Sequence, residues 1–249
     1  MRELVSIMVN GTGYGFKKSH IIEIRCAKCN NEDFIPYDNK SWLIKPDIDA
    51  ADWDINNINN KSISNDFTKE FIISHGKSLI DVADEIINYI GDCDILTYDG
   101  NVYDLKLLNT NFLKIGKYID FIHRNIYDIK DVENQVFKHD YAALFKKYIN
   151  PAEENVVINP ETIIKIFSKQ LSKNPEHDIL NNCKNNLLSL TNQVISDNNR
   201  LYFTVGKYYG FDVLDICRND PSYIIWFIKS AADPLTRLAI KKYYNANKI

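Results

Sequence analysis

Residues 4–15 read Leu4-Val5-Ser6-Ile7-Met8-Val9-Asn10-Gly11-Thr12-Gly13-Tyr14-Gly15. The run Leu4-Val5-Ser6-Ile7 has the composition of a buried strand, and the three glycines after it supply a turn. In a mixed α/β domain the end of such a strand displays the chemistry. Here that place holds a thioether, Met8, and a neutral amide, Asn10. The reading of this strand end decides what the protein does.

Working outward, Ile21-Ile22-Glu23-Ile24-Arg25-Cys26 alternates with period two and predicts a second strand paired to the first through the Gly turn. Trp42-Leu43-Ile44 predicts a third, closed by Lys45-Pro46. Residues 49–66 are polar and Asn-rich and read as loop. Leu79, Val82, Ile86 and Ile90 share one helical face, with Ser78 placed as N-cap and Gly91 as the stop. Asp94-Ile95-Leu96-Thr97-Tyr98 predicts a strand, and Val102, Leu105, Leu108 and Phe112 a helix after it. Tyr118-Ile119-Asp120-Phe121-Ile122 predicts a last short strand. From 128 onward the spacing is helical, with Ile163, Ile164, Phe167 and Leu171 on one helix and Ile179, Cys183, Leu187 and Leu190 on another. Strands first, with helices between and after them, predict an α/β domain over 1–195.

Ser196-Asp197-Asn198-Asn199 reads as a polar hinge. Beyond it, 196–249 predicts a small module. Residues 201–205 and 211–214 form a hairpin around Gly206-Lys207-Tyr208-Tyr209-Gly210, and two helices open on Asp220-Pro221 and Asp233-Pro234. Each opening pairs an acidic N-cap with Pro at the first helical position. Tyr202, Phe203, Tyr223, Trp226 and Phe227 supply its core.

Composition narrows the function classes. The chain of 249 residues is 45% hydrophobic and 25% charged, with a formal net charge of −3. That balance gives no global attraction to nucleic acid, so such binding needs a local basic patch. No apolar run reaches the roughly 20 residues that cross a bilayer, and the first residues carry no secretion-signal pattern. Cys26, Cys29, Cys93, Cys183 and Cys217 are odd in number and scattered, which fits reduced thiols in a cytosol-like compartment. Cys26-Ala27-Lys28-Cys29 has metal-ligand spacing without a second pair, so the expectation is one buried and one surface thiol. Richness in Asn, Ile, Lys, Asp and Tyr accompanies AT-rich genomes, those of many viruses among them.

The order of these pieces resembles the DnaQ-like (DEDDh-type, RNase H-like) 3′–5′ exonucleases over residues 3 to 195. That family opens on a strand carrying D-x-E; the slot here is Met8-Val9-Asn10. Its second motif is an aromatic-Asp pair leading an apolar helix, matched by Tyr103-Asp104-Leu105-Lys106-Leu107-Leu108, with Asp104 at the metal-ligand position. Its third motif, H-x-A-x-x-D, is matched by His177-Asp178-Ile179-Leu180-Asn181-Asn182, where the histidine remains and the aspartate has become asparagine. The Gly206-to-Gly210 turn and Asp220-Pro221-Ser222-Tyr223-Ile224-Ile225-Trp226 resemble the module that follows exodeoxyribonuclease X-like exonucleases. The resemblance implies an RNase H-like mixed sheet flanked by helices, plus a C-terminal hairpin-and-two-helix module.

It also implies a chemistry. Two-metal phosphodiesterases hold two divalent ions roughly 3.5–4 Å apart. Mg²⁺ and Mn²⁺ are hard ions that select carboxylate oxygens. Of the family's four carboxylate positions this chain keeps Asp104. Met8 offers soft sulfur, and Asn10 and Asn182 offer a carbonyl oxygen without charge. His177, the family's general base, then has no metal-activated water to deprotonate. The expectation is a catalytically inactive exonuclease-fold protein with no cofactor. It would act as a structural, assembly or binding subunit with protein partners and no membrane, in the cytoplasm or in a viral or phage particle. Two alternatives stand. One is an active Mg²⁺- or Mn²⁺-dependent exonuclease with Asp99 and Asp178 as substitute ligands. The other is a non-catalytic nucleic-acid-binding module, contacting its partner through Tyr14, Phe16, Lys207, Arg237, Lys241 and Lys242.

Overall fold

The computed structural model describes residues 2–13, 19–47, 53, 68–100, 103–117, 119–121, 124–134, 141–152, 158–173, 184–185, 193–197 and 200–247. The chain divides into two compact units, one of 1–119 with 124–184, the other of 120–123 with 185–249.

The first unit is built on a mixed sheet. Its strands are β1 (Leu4–Gly11), β2 (Ile21–Cys29), β3 (Pro36–Leu43), β4 (Asp94–Thr97), β5 (Ile126–Asp128) and the two-residue β6 (Lys184–Asn185), in the spatial order β3-β2-β1-β4-β5-β6. β1, β2 and β3 run antiparallel, whereas β4 lies parallel to β1 and β5 parallel to β4. All of β1 is buried, as a strand in the middle of a sheet covered on both faces should be. The helices are α1 (Lys69–His75), α2 (Leu79–Ile90), α3 (Asp104–Lys114), α4 (Ile129–Asn134), α5 (Tyr141–Tyr148) and α6 (Pro160–Lys173). This is an α/β fold, a mixed sheet flanked by helices, as expected.

α2 begins after Ser78 and ends at Gly91, whose φ of 53° with ψ of −131° is a conformation open to glycine, which has no Cβ. α6 crosses β1, β2, β3 and β4. Its Ile163, Ile164, Ile166 and Phe167 join Leu4, Met8, Ala27, Cys29, Leu96 and Tyr127 in one core. α3 closes on β1 from its first turn. A Cβ added at Gly11 would stand 2.6 Å from Leu107 Cδ2 and 2.7 Å from the Tyr103 hydroxyl. The missing Cβ at Gly11 leaves room for both side chains at this distance, and the start of α3 lies against the end of β1.

Three expectations change. The third strand covers Pro36–Leu43 rather than starting at Trp42, because its exposed, polar N-terminal half carries no apolar signal. Residues 119–121 are not strand: Ile119 and Phe121 are buried, but the strand pairing with β4 is Ile126–Asp128. The helix expected over 177–190 lies mostly outside the described residues, and Lys184–Asn185 within it is strand.

The second unit holds a hairpin of β7 (Val194–Asp197) and β8 (Arg200–Phe203), then α7 (Val213–Asn219), α8 (Pro221–Trp226), a π-helical turn (Phe227–Ala231) and α9 (Pro234–Ala246). Ser196-Asp197 therefore belongs to a hairpin strand and not to a hinge. The predicted return strand at 211–214 reduces to one bridge between Tyr202 and Asp212. Asp212 Oδ1 accepts from Leu214 N at 2.7 Å, so the chain turns into α7 there. Both Asp-Pro openings form as read. Asp220 accepts from Tyr223 N at 3.1 Å, and Asp233 from Thr236 N at 3.0 Å. Phe203, Tyr208, Tyr223 and Phe227 pack edge to face around them.

Asp220 also accepts from the Ser222 and Tyr208 hydroxyls at 2.6 and 2.7 Å and from Lys207 Nζ at 3.2 Å. Bonds from Ser222, Tyr208, the Tyr223 amide and Lys207, in that order, hold its carboxyl well below the usual carboxylate range. The depressed native pKa gives stability that is present above about pH 4, the unfolded value, and lost as pH falls through the native one. Asp220→Asn is expected to lower the melting temperature of this unit at pH 7, with the gap to the parent closing below pH 4. A gap that stays constant from pH 7 to pH 3 would contradict that role.

Candidate functional site

β1 carries Met8 and Asn10 to the end of the sheet. Met8 is 4% exposed and is part of the core under α6, so its thioether packs against side chains. Asn10 stands opposite Glu23 across the antiparallel pair, and Met8 opposite Arg25. Cross-strand partners project to the same face, which gathers all four side chains at the strand end. Asn10 Nδ2 donates to Glu23 Oε2 at 2.7 Å, and Arg25 Nε donates to Glu23 Oε1 at 2.6 Å. The Glu23 side chain is 5% exposed and that of Arg25 is 20% exposed. One buried carboxylate thus has each oxygen engaged, one by an amide and one by a guanidinium.

Sequence reading passed over Glu23 and Arg25. Their signal is visible afterwards: two charged residues two apart within the apolar run Ile21–Ala27 face the same side.

Asp104 opens α3 and is 2% exposed. Next to it the Tyr103 hydroxyl donates to the Gly13 carbonyl. Burial first, and the Asp104 charge as well, push the Tyr103 phenol up. Asp104 and the strand end are therefore brought to one region by the close approach at Gly11.

Asp99 sits at φ 55° in the turn after β4. Its amide and that of Gly100 donate to Asp128 Oδ1 and Oδ2 at 2.9 and 3.0 Å. The buried Asp128 carboxylate, at the end of β5, thus fixes the turn that leads into α3. The Asp99 carboxylate accepts from Lys130 Nζ at 2.7 Å, with both side chains about one-third exposed. An aspartate so paired is partly neutralised by the lysine.

His177, Asp178, Asn182, Tyr14 and Phe16 lie outside the described residues. Lys207, in the second unit, is exposed, 3.2 Å from Asp220 and 4.6 Å over the Tyr208 ring. Arg237 Nε donates to the Ala232 carbonyl at 2.8 Å, and Lys242 pairs with Asp120 at 3.0 Å. Lys241 is exposed on α9.

Cys26 and Cys29 are both buried, which corrects the expected surface thiol. They lie three apart in β2, and Cys29 joins the core under α6 that does not include Cys26; odd spacing puts them on opposite faces. Burial pushes the Cys26 thiol far up and that of Cys29 to about 12. A zinc ligand needs the thiolate and convergent sulfurs. Among the described residues no group of three His, Cys, Asp or Glu is placed to hold a metal ion.

No protein-family model and no curated protein matches the sequence. Solved structures are similar in fold. E. coli exonuclease I in complex with a 5cy-dT13 oligonucleotide superimposes on 71% of this chain and 41% of its own, with TM-score 0.52 and 10% identity. An ExoI/SSB-Ct complex gives TM-score 0.53 and 13% identity over 71% of this chain and 42% of that one. A full-length 3′-exonuclease gives TM-score 0.50 and 11% identity over 85% of this chain and 94% of that one. The chain thus spans about two fifths of the length of exonuclease I. No helix among the described residues is long and apolar enough to cross a membrane.

Proposed function

We propose that this protein is an exonuclease-fold subunit that has given up two-metal chemistry and serves binding or assembly. The observation that carries the reading is the Asn10–Glu23–Arg25 network. Two divalent ions bring four positive charges. The strand end offers Glu23, already offset by Arg25, and Asn10, whose carbonyl oxygen carries no charge; Asp104 adds one carboxylate. Met8, in the core, is a poor donor for a hard ion. These residues do not fit a pair of hard cations, and a guanidinium 2.6 Å from the buried carboxylate repels them. Met8, Asn10, Asp104, His177 and Asn182 are on this reading vestigial positions. The C-terminal unit, resembling the exodeoxyribonuclease X-like module, is a candidate surface for a protein partner. The richness in Asn, Ile, Lys, Asp and Tyr, which accompanies AT-rich genomes, supports a place in a viral or phage particle.

The test is degradation of labelled single-stranded DNA by purified protein in Mg²⁺ and in Mn²⁺, with Asp104→Ala alongside. No degradation above the Asp104→Ala background is expected. Degradation that Asp104→Ala abolishes would assign instead an active exonuclease with borrowed ligands, Asp99 and Asp178 among them.

A further inference from the structure

The second unit carries a continuous row of aromatic rings, Phe211–Tyr208–Tyr223–Trp226, whose successive ring centres stand 5.9, 4.7 and 5.5 Å apart. The middle of the row is fixed in place. The Tyr208 hydroxyl donates to Asp220 Oδ2 at 2.7 Å, and the Tyr223 hydroxyl lies so close to Gly206 that an added Cβ there would stand 2.8 Å from it. Buried Phe203 and Phe227 pack against the Tyr223 ring. The ends of the row are open to solvent. Phe211 is 55% exposed and Trp226 53%, and Ile225, next to Trp226 on α8, is 55% exposed.

Apolar surface left in water forgoes about 25 cal/mol per Å². At roughly 150–250 Å² per aromatic side chain, the open part of the row with Ile225 amounts to about 400 Å². An apolar patch of that size on a monomer marks an interaction site. The charges beside the row narrow the partner. Lys207 pairs with Asp220 and Arg218 with Asp215, so these cations are already met by carboxylates and give a polyanion no basic track. α8 also has opposite charges at its two ends. Asp220, its side chain 24% exposed, caps the start, and Lys229 is exposed in the π-helical turn that follows the end.

We propose that this aromatic row docks onto the same row of a second copy of the chain, about a twofold axis that sets the two α8 helices antiparallel. A twofold contact requires one patch that fits itself and a rim carrying both signs of charge. The antiparallel setting turns Lys229 of each copy towards Asp220 of the other. The area agrees. Two apolar patches of about 400 Å², at the roughly 65% apolar share of homodimer interfaces, correspond to about 1,200 Å² in all, where specific interfaces begin. Tyrosine and tryptophan rings already held by their neighbours lose little freedom on docking. This contact deepens the assembly role proposed above and rests on that reading; self-association and nuclease activity are measured separately, so either can fail alone.

Sedimentation equilibrium of the full chain, with acrylamide quenching of tryptophan fluorescence at the same protein concentrations, tests it. Of the three tryptophans Trp42 and Trp53 are buried, so quenching reports on Trp226. An interface of this size should give dimers with a Kd of about 10 μM, and quenching should fall about twofold as they form. The double variant F211R/I225R keeps Trp226. It should associate at least tenfold more weakly, and its quenching should not change with concentration. If arginine at 211 unsettles the Tyr208 ring and unfolds the double variant, I225R alone should still weaken association severalfold. A parent that stays monomeric at twenty times that Kd would overturn the proposal. So would parent-like association by the folded variants, or association that leaves Trp226 as quenchable as before. Shielding of Trp226 in a monomeric parent by an added oligonucleotide or acidic peptide would give the row to that partner and overturn it as well.

Discussion

Arg25→Met should destabilise the first unit by about 3 kcal/mol, the lower end of what breaking a buried ion pair costs, since Arg25 keeps some contact with water. Methionine keeps the aliphatic packing and removes the guanidinium. Glu23 is then a buried charge held by the Asn10 amide alone. The second substitution E23Q should recover most of the loss, because glutamine can still accept from Asn10 and carries no charge. Urea unfolding, with hydrogen exchange of the β1 and β2 amides, measures both. The opposite sign is informative. If the strand end were a cation site, losing a neighbouring guanidinium would favour the bound state, and Arg25→Met in Mn²⁺ would gain stability. A change below about 1 kcal/mol would mean that the network does not hold the strand end, given the usual cost of such a break.

Phe167→Ala should cost about 3–5 kcal/mol, the range for removing a fully buried aromatic ring. The ring is wholly inaccessible to solvent and lies within 5.7 Å of Phe34 and 5.6 Å of Tyr127, ring centre to ring centre. It joins α6 to the sheet face that carries Met8. The deletion leaves a cavity where three structural elements meet. The loss should appear as reduced exchange protection across β1, β4 and α6, with the second unit's amides less affected. A loss below about 1 kcal/mol would show that the site collapses without strain and that α6 is not seated as described.

Much of the fold was legible because its signals are local. Strict period two in Ile21–Cys26, the Leu79–Ile90 stripe and the Asp-Pro helix openings each depend on a few neighbouring residues. β5 escaped because three residues carry no period. Tyr118 to Ile122 drew the strand reading instead, since burial of Ile119 and Phe121 imitates alternation without any pairing. The small hairpin was displaced for a related reason. Glycines at φ 76° and 79° do turn the chain, but Asp212 then caps a helix, and a cap and a strand compete for the same residues.

The site was half legible. Met8, Asn10 and Asp104 could be placed by their surroundings in the chain. Glu23 and Arg25 could not, because a cross-strand partner is defined by register, and register depends on a turn whose geometry the sequence does not give. That pairing changes the physical account. Asn10 is not a neutral remnant facing solvent: it is 5% exposed and donates to a carboxylate that is itself held by a guanidinium. Asp128 was missed for the same reason, since it fixes the Asp99-Gly100 turn from a strand that the sequence did not announce.

The most direct measurement is titration calorimetry of the parent with Mn²⁺, paired with thermal unfolding in the same buffer. The strand end described here predicts no saturable heat and no shift in Tm at millimolar Mn²⁺. Saturable binding of two ions per chain, raising Tm and lost in Asp104→Ala, would contradict it.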